Sequence, residues 1–267
     1  MRQLMFGTLA RESVKNQSTQ NNLFSLIILW LLLTLIAAPS TRAGTFRDDF
    51  DNEEDFLKDK QFREGGVWGE DIAQFTWENG AIKGRNDRND ANFCFALITG
   101  DYGWKDYTVE CKAKLITDLD FDFDGIGLAL RRPCIDCAPY YSFFFGRHPG
   151  GNTGVSIGGK KGEKEPMKAL AIAPFQNIRK DVWYTLKAVA QGEQLEFYVD
   201  NKLVLEAKDN AFPAGKAGFA VQNGGGGPLE ALFDDFIMTG PEVKAHDQAV
   251  EPQSKLATTW GEIKRSR

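Results

Sequence analysis

Histidine is nearly absent from this sequence: His148 and His246 are the only two in 267 residues. That scarcity excludes a catalytic metal centre built from several imidazoles. Dense Lys/Arg stripes are missing too. The formal charge is −5, and residues 1–43 hold four cations against one anion, so the remainder is more acidic still. Such a chain is a poor partner for nucleic acid or an anionic membrane surface. No repeat with a period of roughly 20–50 residues is visible, which argues against propellers and solenoids. From Thr45 to Gly240 no helical periodicity reaches three turns.

The one long apolar run is Leu23–Ala38 (LFSLIILWLLLTLIAA), 16 residues that follow a basic-leaning segment. A spanning helix needs about 20 such residues. Small residues at Thr41 and Ala43 suit cleavage before Gly44. Residues 1–43 are therefore expected to be a signal peptide, with an uncleaved anchor as the alternative. Cleavage leaves no stable membrane span, and the product is secreted or extracytoplasmic, in a periplasm or at a cell surface.

The four cysteines, Cys94, Cys111, Cys134 and Cys137, all follow this segment, and an even count in an exported chain reads as disulfides. Cys134 with Cys137 and Cys94 with Cys111 is one of three connectivities. A four-cysteine zinc site lacks a second close pair. A redox motif would open a helix, whereas Cys134–Cys137 lies between strand-like runs.

What is abundant is aromatic and glycine: 20 Phe and 27 Gly. That pairing suits short strands packed by rings and joined by tight turns. Tyr107–Leu115 alternates cleanly, with Tyr107, Val109, Cys111, Ala113 and Leu115 on one face and Thr108, Glu110, Lys112 and Lys114 on the other. Leu195–Val199 alternates as well, and Asp200-Asn201 turns it into Leu203–Leu205 as a hairpin. Further strands are expected at Phe93–Ile98, Ile126–Arg131, Tyr140–Phe145, Val155–Ile157, Leu170–Ala173, Trp183–Val189, Gly218–Gln222 and Ala231–Thr239. Half-buried sheets must cover each other, so the fold class is all-β, a two-sheet jelly-roll sandwich over residues 44–240. Residues 241–267 form a polar linker and short tail. There Leu256, Trp260 and Ile263 fit one side of a short helix, either a docking tag or a frayed end.

Several stretches together carry a resemblance. They are Phe46-Arg-Asp-Asp-Phe-Asp51 with Trp77-Glu-Asn-Gly-Ala-Ile-Lys-Gly84, Gly125-Ile-Gly-Leu-Ala-Leu-Arg131 with Tyr140–Phe145, and Trp183-Tyr-Thr-Leu-Lys187. Leu195–Lys202, Gly215–Ala220 and Phe233-Asp-Asp-Phe236 complete the series. In this order they resemble the concanavalin A-like lectin and glucanase superfamily, especially laminin-G-like and 3-keto-disaccharide hydrolase-type domains. The resemblance spans residues 45–240 and is one of strands and turns, not of catalytic residues; one fold hosts many functions.

Its enzymes imply a Glu-x-Asp-x-x-Glu strand that sets paired carboxylates on one face. No such triplet is present. Ser142 and Ser156 lack nucleophile-elbow glycines, and Gly154–Lys160 lacks the Ser/Thr that completes a phosphate loop. Calcium has two candidate positions. Asp120, Asp122 and Asp124 with Gly125 match the first half of an EF-hand loop, but the twelfth position is Arg131, which cannot ligate. The resemblance implies a second ion between first and last strands, where Asp49 and Asp235 would contribute. Otherwise these are solvated or edge aspartates.

In the resembled sandwiches sugars lie on the concave sheet or at its rim, held by aromatic faces and planar polar groups. The candidates here are Trp68, Trp104, Arg131, Tyr140, Tyr141, Arg147 and Asn223, with His148 and Gln222 beside them; for each aromatic the rival role is core packing. Trp183 is expected in the core. The consecutive Phe143–Phe145 must point to both faces, so at least one ring covers a sheet surface outside the main core. The expected function is an exported carbohydrate-binding or adhesion module whose partner is a glycan or cell-envelope component. The alternatives are a glycoside-acting enzyme, 3-keto-disaccharide hydrolase-like or glucanase-like, and an envelope scaffold that uses the tail.

Overall fold

Alternate burial along short strands organises the computed structural model, which describes residues 43–54, 56, 68–70, 74–88, 94–133, 139–161, 167–244 and 246–247. Side chains are described for all of these except 68–70, 94–95 and 246–247. The described residues belong to one unit, Ala43–Arg267. The expected signal peptide and the Leu256–Ile263 tail lie outside them.

Two sheets form. The first is nine-stranded: β1 (Gly44–Asp48), β3 (Phe75–Trp77), β4 (Ile82–Asn86), β6 (Tyr107–Leu115), β11 (Trp183–Gln191), β12 (Gln194–Val199), β13 (Lys202–Lys208), β15 (Leu229–Gly240) and β16 (His246–Asp247). Its order is β13-β12-β11-β6-β15-β1-β16, with β4 on β15 and β3 on β4. The second sheet is seven-stranded: β2 (Trp68–Glu70), β5 (Cys94–Thr99), β7 (Gly125–Arg132), β8 (Tyr140–His148), β9 (Asn152–Lys160), β10 (Lys168–Pro174) and β14 (Lys216–Gln222), in the order β10-β9-β8-β7-β14-β5-β2. Pairing is antiparallel except for β1 with β16. The expected strands are all present, and the Asp200-Asn201 turn joins β12 to β13 with both residues at positive φ.

The core lies between the sheets. β6 turns Tyr107, Val109, Cys111, Ala113 and Leu115 inward, as its alternation requires. From the opposite sheet come Phe143, Phe145 and Phe219. Phe219 stacks on Phe233 at 4.3 Å and meets the edges of Phe50, Phe75 and Phe236. Each fully buried Phe contributes roughly 1.5–3 kcal/mol by leaving water.

Two expectations fail here. Trp183 is 39% exposed, because Tyr184, Leu186, Ala188 and Ala190 set the inward phase of β11 and place Trp183 on the outer face. Lys114 instead lies over its ring at 4.8 Å. Cys111 is a buried free thiol, so the Cys94–Cys111 disulfide is not formed. The physical reason is its phase: Cys111 sits mid-strand in the core of the nine-stranded sheet, whereas Cys94 begins β5 of the other sheet. Burial pushes the Cys111 thiol pKa up and keeps it protonated. The Cys94 side chain, Cys134 and Cys137 lie outside the described residues.

Two bulges redirect polar side chains. In β15 the register slips between Asp234 and Ile237, with Asp235 at positive φ (49°). One extra residue restores the inward phase for Phe236 and Met238. In β7 a slip opposite Lys216–Gly218 accompanies Arg131 at φ 54°.

Candidate functional site: the outer groove of the seven-stranded sheet

Because successive side chains on a strand alternate, the inward set of β8 (Tyr141, Phe143, Phe145) leaves Tyr140, Ser142, Phe144 and His148 on the outer face. β9 likewise turns Val155 and Ile157 inward and Ser156, Gly158 and Lys160 outward. These outward residues floor a groove of about 220 Å³ across β8–β10, with Gln222 on the far side. Phe123, Met167 and Ile172 form apolar walls, exposed by 38%, 36% and 59%. Such exposure is unusual for large apolar residues gathered around a concavity.

Glycines let side chains lie flat on the floor. A Cβ at Gly154 would stand 2.9 Å from Cδ2 of His148, and one at Gly158 would stand 2.8 Å from Cγ of Met167. His148 meets Phe144 edge-on at 5.2 Å and 80°. Its Nε2 is buried with no hydrogen-bond partner in the described structure. Burial lowers the His148 pKa, against a backbone hydrogen bond at Gly154 that raises it, so the neutral imidazole is favoured. Among the described lining residues there is neither Asp nor Glu.

Of the expected ligand-binding residues, Tyr140 is placed in the groove floor, and His148 and Gln222, named beside them, line the same groove. Arg132 lies 5.5 Å from the Tyr140 ring centroid. Trp104 is only 6% exposed and belongs to the core cluster, packed where Gly100 leaves room for its ring. Tyr141 points inward; its hydroxyl donates to Asp209 at 2.6 Å and accepts from the Phe212 amide at 3.2 Å. Burial first, then Asp209, pushes its pKa up to about 12. Arg131, 1% exposed, donates to the carbonyls of Lys105, Gly192 and Phe212, bracing loops that converge on the β7 bulge. Asn223 is buried and closes the turn after β14, donating to the carbonyls of Asn86 and Gly227 and accepting from the Gly225 amide. Arg147 pairs with Asp122 at 3.2 Å and donates to the Leu119 carbonyl. These four are structural braces, or core in the case of Tyr141, and not groove residues. The Trp68 side chain lies outside the described residues.

The missed lining residue with a readable signal is Phe144. Three consecutive Phe on one strand require one ring outside the core, and Phe144 is that ring. Phe123, Met167 and Ile172 carried no signal, because their role depends on loops and an edge strand folding beside β8.

The aspartates do not fit calcium as expected. Asp122 accepts from Arg147 and from the Gly150 and Gly151 amides, and the Gly150 bond leads the causes that hold its carboxyl below the ordinary range. Asp124 is buried and accepts from the Phe121 and Gly224 amides. Asp120 is exposed. The first and last long strands are neighbours, Asp48 facing Phe236. There, however, Asp235 pairs with Lys112 at 2.6 Å and with Arg47 at 4.0 Å, and Asp49 accepts from the Asp51 amide at 3.4 Å. Among the described residues no group of three or more His, Cys, Asp or Glu is placed to hold a metal ion. No helix among them is long and apolar enough to cross a membrane.

The architecture has clear structural counterparts. A β-glucanase of Bacillus licheniformis is 15% identical, with a TM-score of 0.50 over 73% of this chain and 97% of its own. A glycosidic hydrolase is 15% identical, with a TM-score of 0.51 over 74% and 96%. The exoplasmic/lumenal domain of VIP36, in a Ca2+/Man3GlcNAc-bound form, is 11% identical, with a TM-score of 0.50 over 68% and 87%. No protein-family model and no curated protein sequence matches the chain. The fold is therefore a concanavalin A-like jelly roll.

Proposed function

We propose that this chain is an exported carbohydrate-binding module that holds a glycan in the groove over β8–β10. The observation that carries this reading is the groove itself. Phe144, Phe123, Met167 and Ile172 supply apolar surface, while Ser142, Ser156, His148 and Gln222 supply hydrogen-bonding groups. Sugars present C–H faces that pack on apolar rings and hydroxyls that need polar partners, which is the mixture found here. The structural counterparts named for glycan binding or hydrolysis share the fold and support the choice of ligand class. Glycoside hydrolysis uses two carboxyls roughly 5–9.5 Å apart. The described lining offers none, so it supports holding a sugar rather than cutting one. The Leu23–Ala38 run supports export, with residues 1–43 removed and the domain released to a periplasm or cell surface. Binding is read as calcium-independent, since the candidate aspartates face amides, Lys112, Arg47 and Arg147.

The test is a glycan array probed with and without EDTA. Retention of a neutral oligosaccharide in both conditions is expected. Loss of binding on EDTA would restore the calcium reading. Release of reducing or 3-keto sugar from a disaccharide panel would replace binding by catalysis.

A further inference from the structure

Most buried polar atoms in a folded protein have a hydrogen-bond partner, so an orphan calls for an explanation. In the outer groove that orphan is Nε2 of His148. The ring cannot be explained as core packing. It lies on the outer face of the seven-stranded sheet, lines the groove, and rests over Gly154, where the lack of a Cβ makes room for it. Ser142, Ser156 and Phe144 line the same groove from the two strands that carry His148 and Gly154. Ile172 on β10 adds an open apolar surface.

From this juxtaposition we propose that His148 is the specificity-determining residue of the groove: its imidazole, turned so that the buried Nε2 enters the groove, bonds one hydroxyl of an uncharged sugar ring whose C–H face packs on the exposed Ile172 above Phe144. The proposal rests on the glycan reading above and sharpens it. An uncharged ring suits this end of the groove. No Asp or Glu is among the described lining, so a cationic ligand finds no counter-charge. Lys160 stands at the other end, opposite Tyr140 in the β8–β9 register, whereas His148 lies opposite Asn152. The eight-residue separation of Tyr140 and His148 on one strand corresponds to about 26 Å. The titratable groups that line the groove with His148 are Tyr140 and Lys160. Beside it on β8, Arg147 faces Asp122. A neutral imidazole offers both a donor and an acceptor nitrogen, and protonation removes the acceptor. Sugar affinity therefore falls as the imidazole gains its proton.

The experiment uses the chain from Gly44 to Arg267 and its two histidines. Imidazole NMR signals are followed during titration with cellobiose, laminaribiose, mannobiose and sucrose at millimolar concentration, and His246→Gln assigns the signals. The expected result is that one disaccharide moves the His148 signal and leaves His246 unchanged. His148→Phe, which keeps a ring over Gly154, is expected to weaken that sugar about tenfold, the worth of one hydrogen bond. His148→Asn is expected to recover part of the affinity and to abolish its pH dependence. A sugar that binds while the His148 signal stays still, or binds His148→Phe as tightly as the parent, overturns the role of His148 and leaves glycan binding standing. If no member of the panel binds, the glycan reading falls and the role of His148 with it.

Discussion

The outer faces of the two sheets are built on the same strand geometry and end with opposite chemistry. On the nine-stranded sheet, outward positions are laced by charge: Lys112 with Asp235 at 2.6 Å, Lys83 and Arg85 with Glu230 at 3.0 and 2.7 Å. Its outward aromatics are capped by cations, Trp183 by Lys114 and Tyr198 by Lys187 at 4.2 Å. On the seven-stranded sheet, the groove-lining positions of β8–β10 are Phe, Ser, Gly, Ala and Ile with one imidazole, and Tyr140 and Lys160 stand at the far end. On the first face the named charged groups pair with one another. The second exposes apolar walls and holds a buried nitrogen that has no hydrogen-bond partner in the described structure.

The comparison can be broken most forcefully within one strand. Phe145 faces the core at 0% exposure, and Phe145→Ala should cost about 3–5 kcal/mol of stability, read by denaturant unfolding. Its neighbour Phe144 faces the groove. Phe144→Ala should cost less, about 3 kcal/mol, the low end of the Phe→Ala range, because its ring, though 7% exposed, lines the groove and lies outside the core cluster. It should lower sugar affinity about tenfold. Equal stability losses for the two variants would mean the groove face is core in disguise.

Acid gives a smaller effect. The folded His148 pKa lies below its ordinary 6.5, so the unfolded chain binds its proton first as pH falls. That contribution to stability is full above 6.5 and is lost as pH falls through the folded value. The melting temperature should decline across that window in the parent and less steeply in His148→Asn. An unchanged slope would show that His148 does not set it. The smallest effect is expected on the charged face. Lys112→Ala breaks an exposed pair with Asp235 and should change stability by about 1 kcal/mol or less, with sugar binding untouched. Altered binding there would move the functional surface to the wrong sheet.

Much of the architecture is legible in the chain because burial on a half-covered sheet repeats every two residues. The phase of β6 follows from Tyr107–Leu115, the β12–β13 hairpin from Asp200-Asn201, and the outward ring of β8 from three consecutive Phe. Where that period is interrupted, sequence reading loses the side. Asp235 and Arg131 sit at bulges with positive φ, which re-aim them toward Lys112 and toward loop carbonyls. Trp104 and Asn223 lie in connections, where no alternation sets direction, and both are buried. Composition and periodicity by themselves determined an all-β sandwich and the phase of its regular strands, since each is a local consequence of covering one face of a strand. Only the tertiary structure decided which outer face carries the groove and that Nε2 of His148 is buried without a hydrogen-bond partner beside Phe144. Those outcomes depend on β8, β9, β10 and the Phe123 loop meeting in space, a juxtaposition that no local spacing encodes.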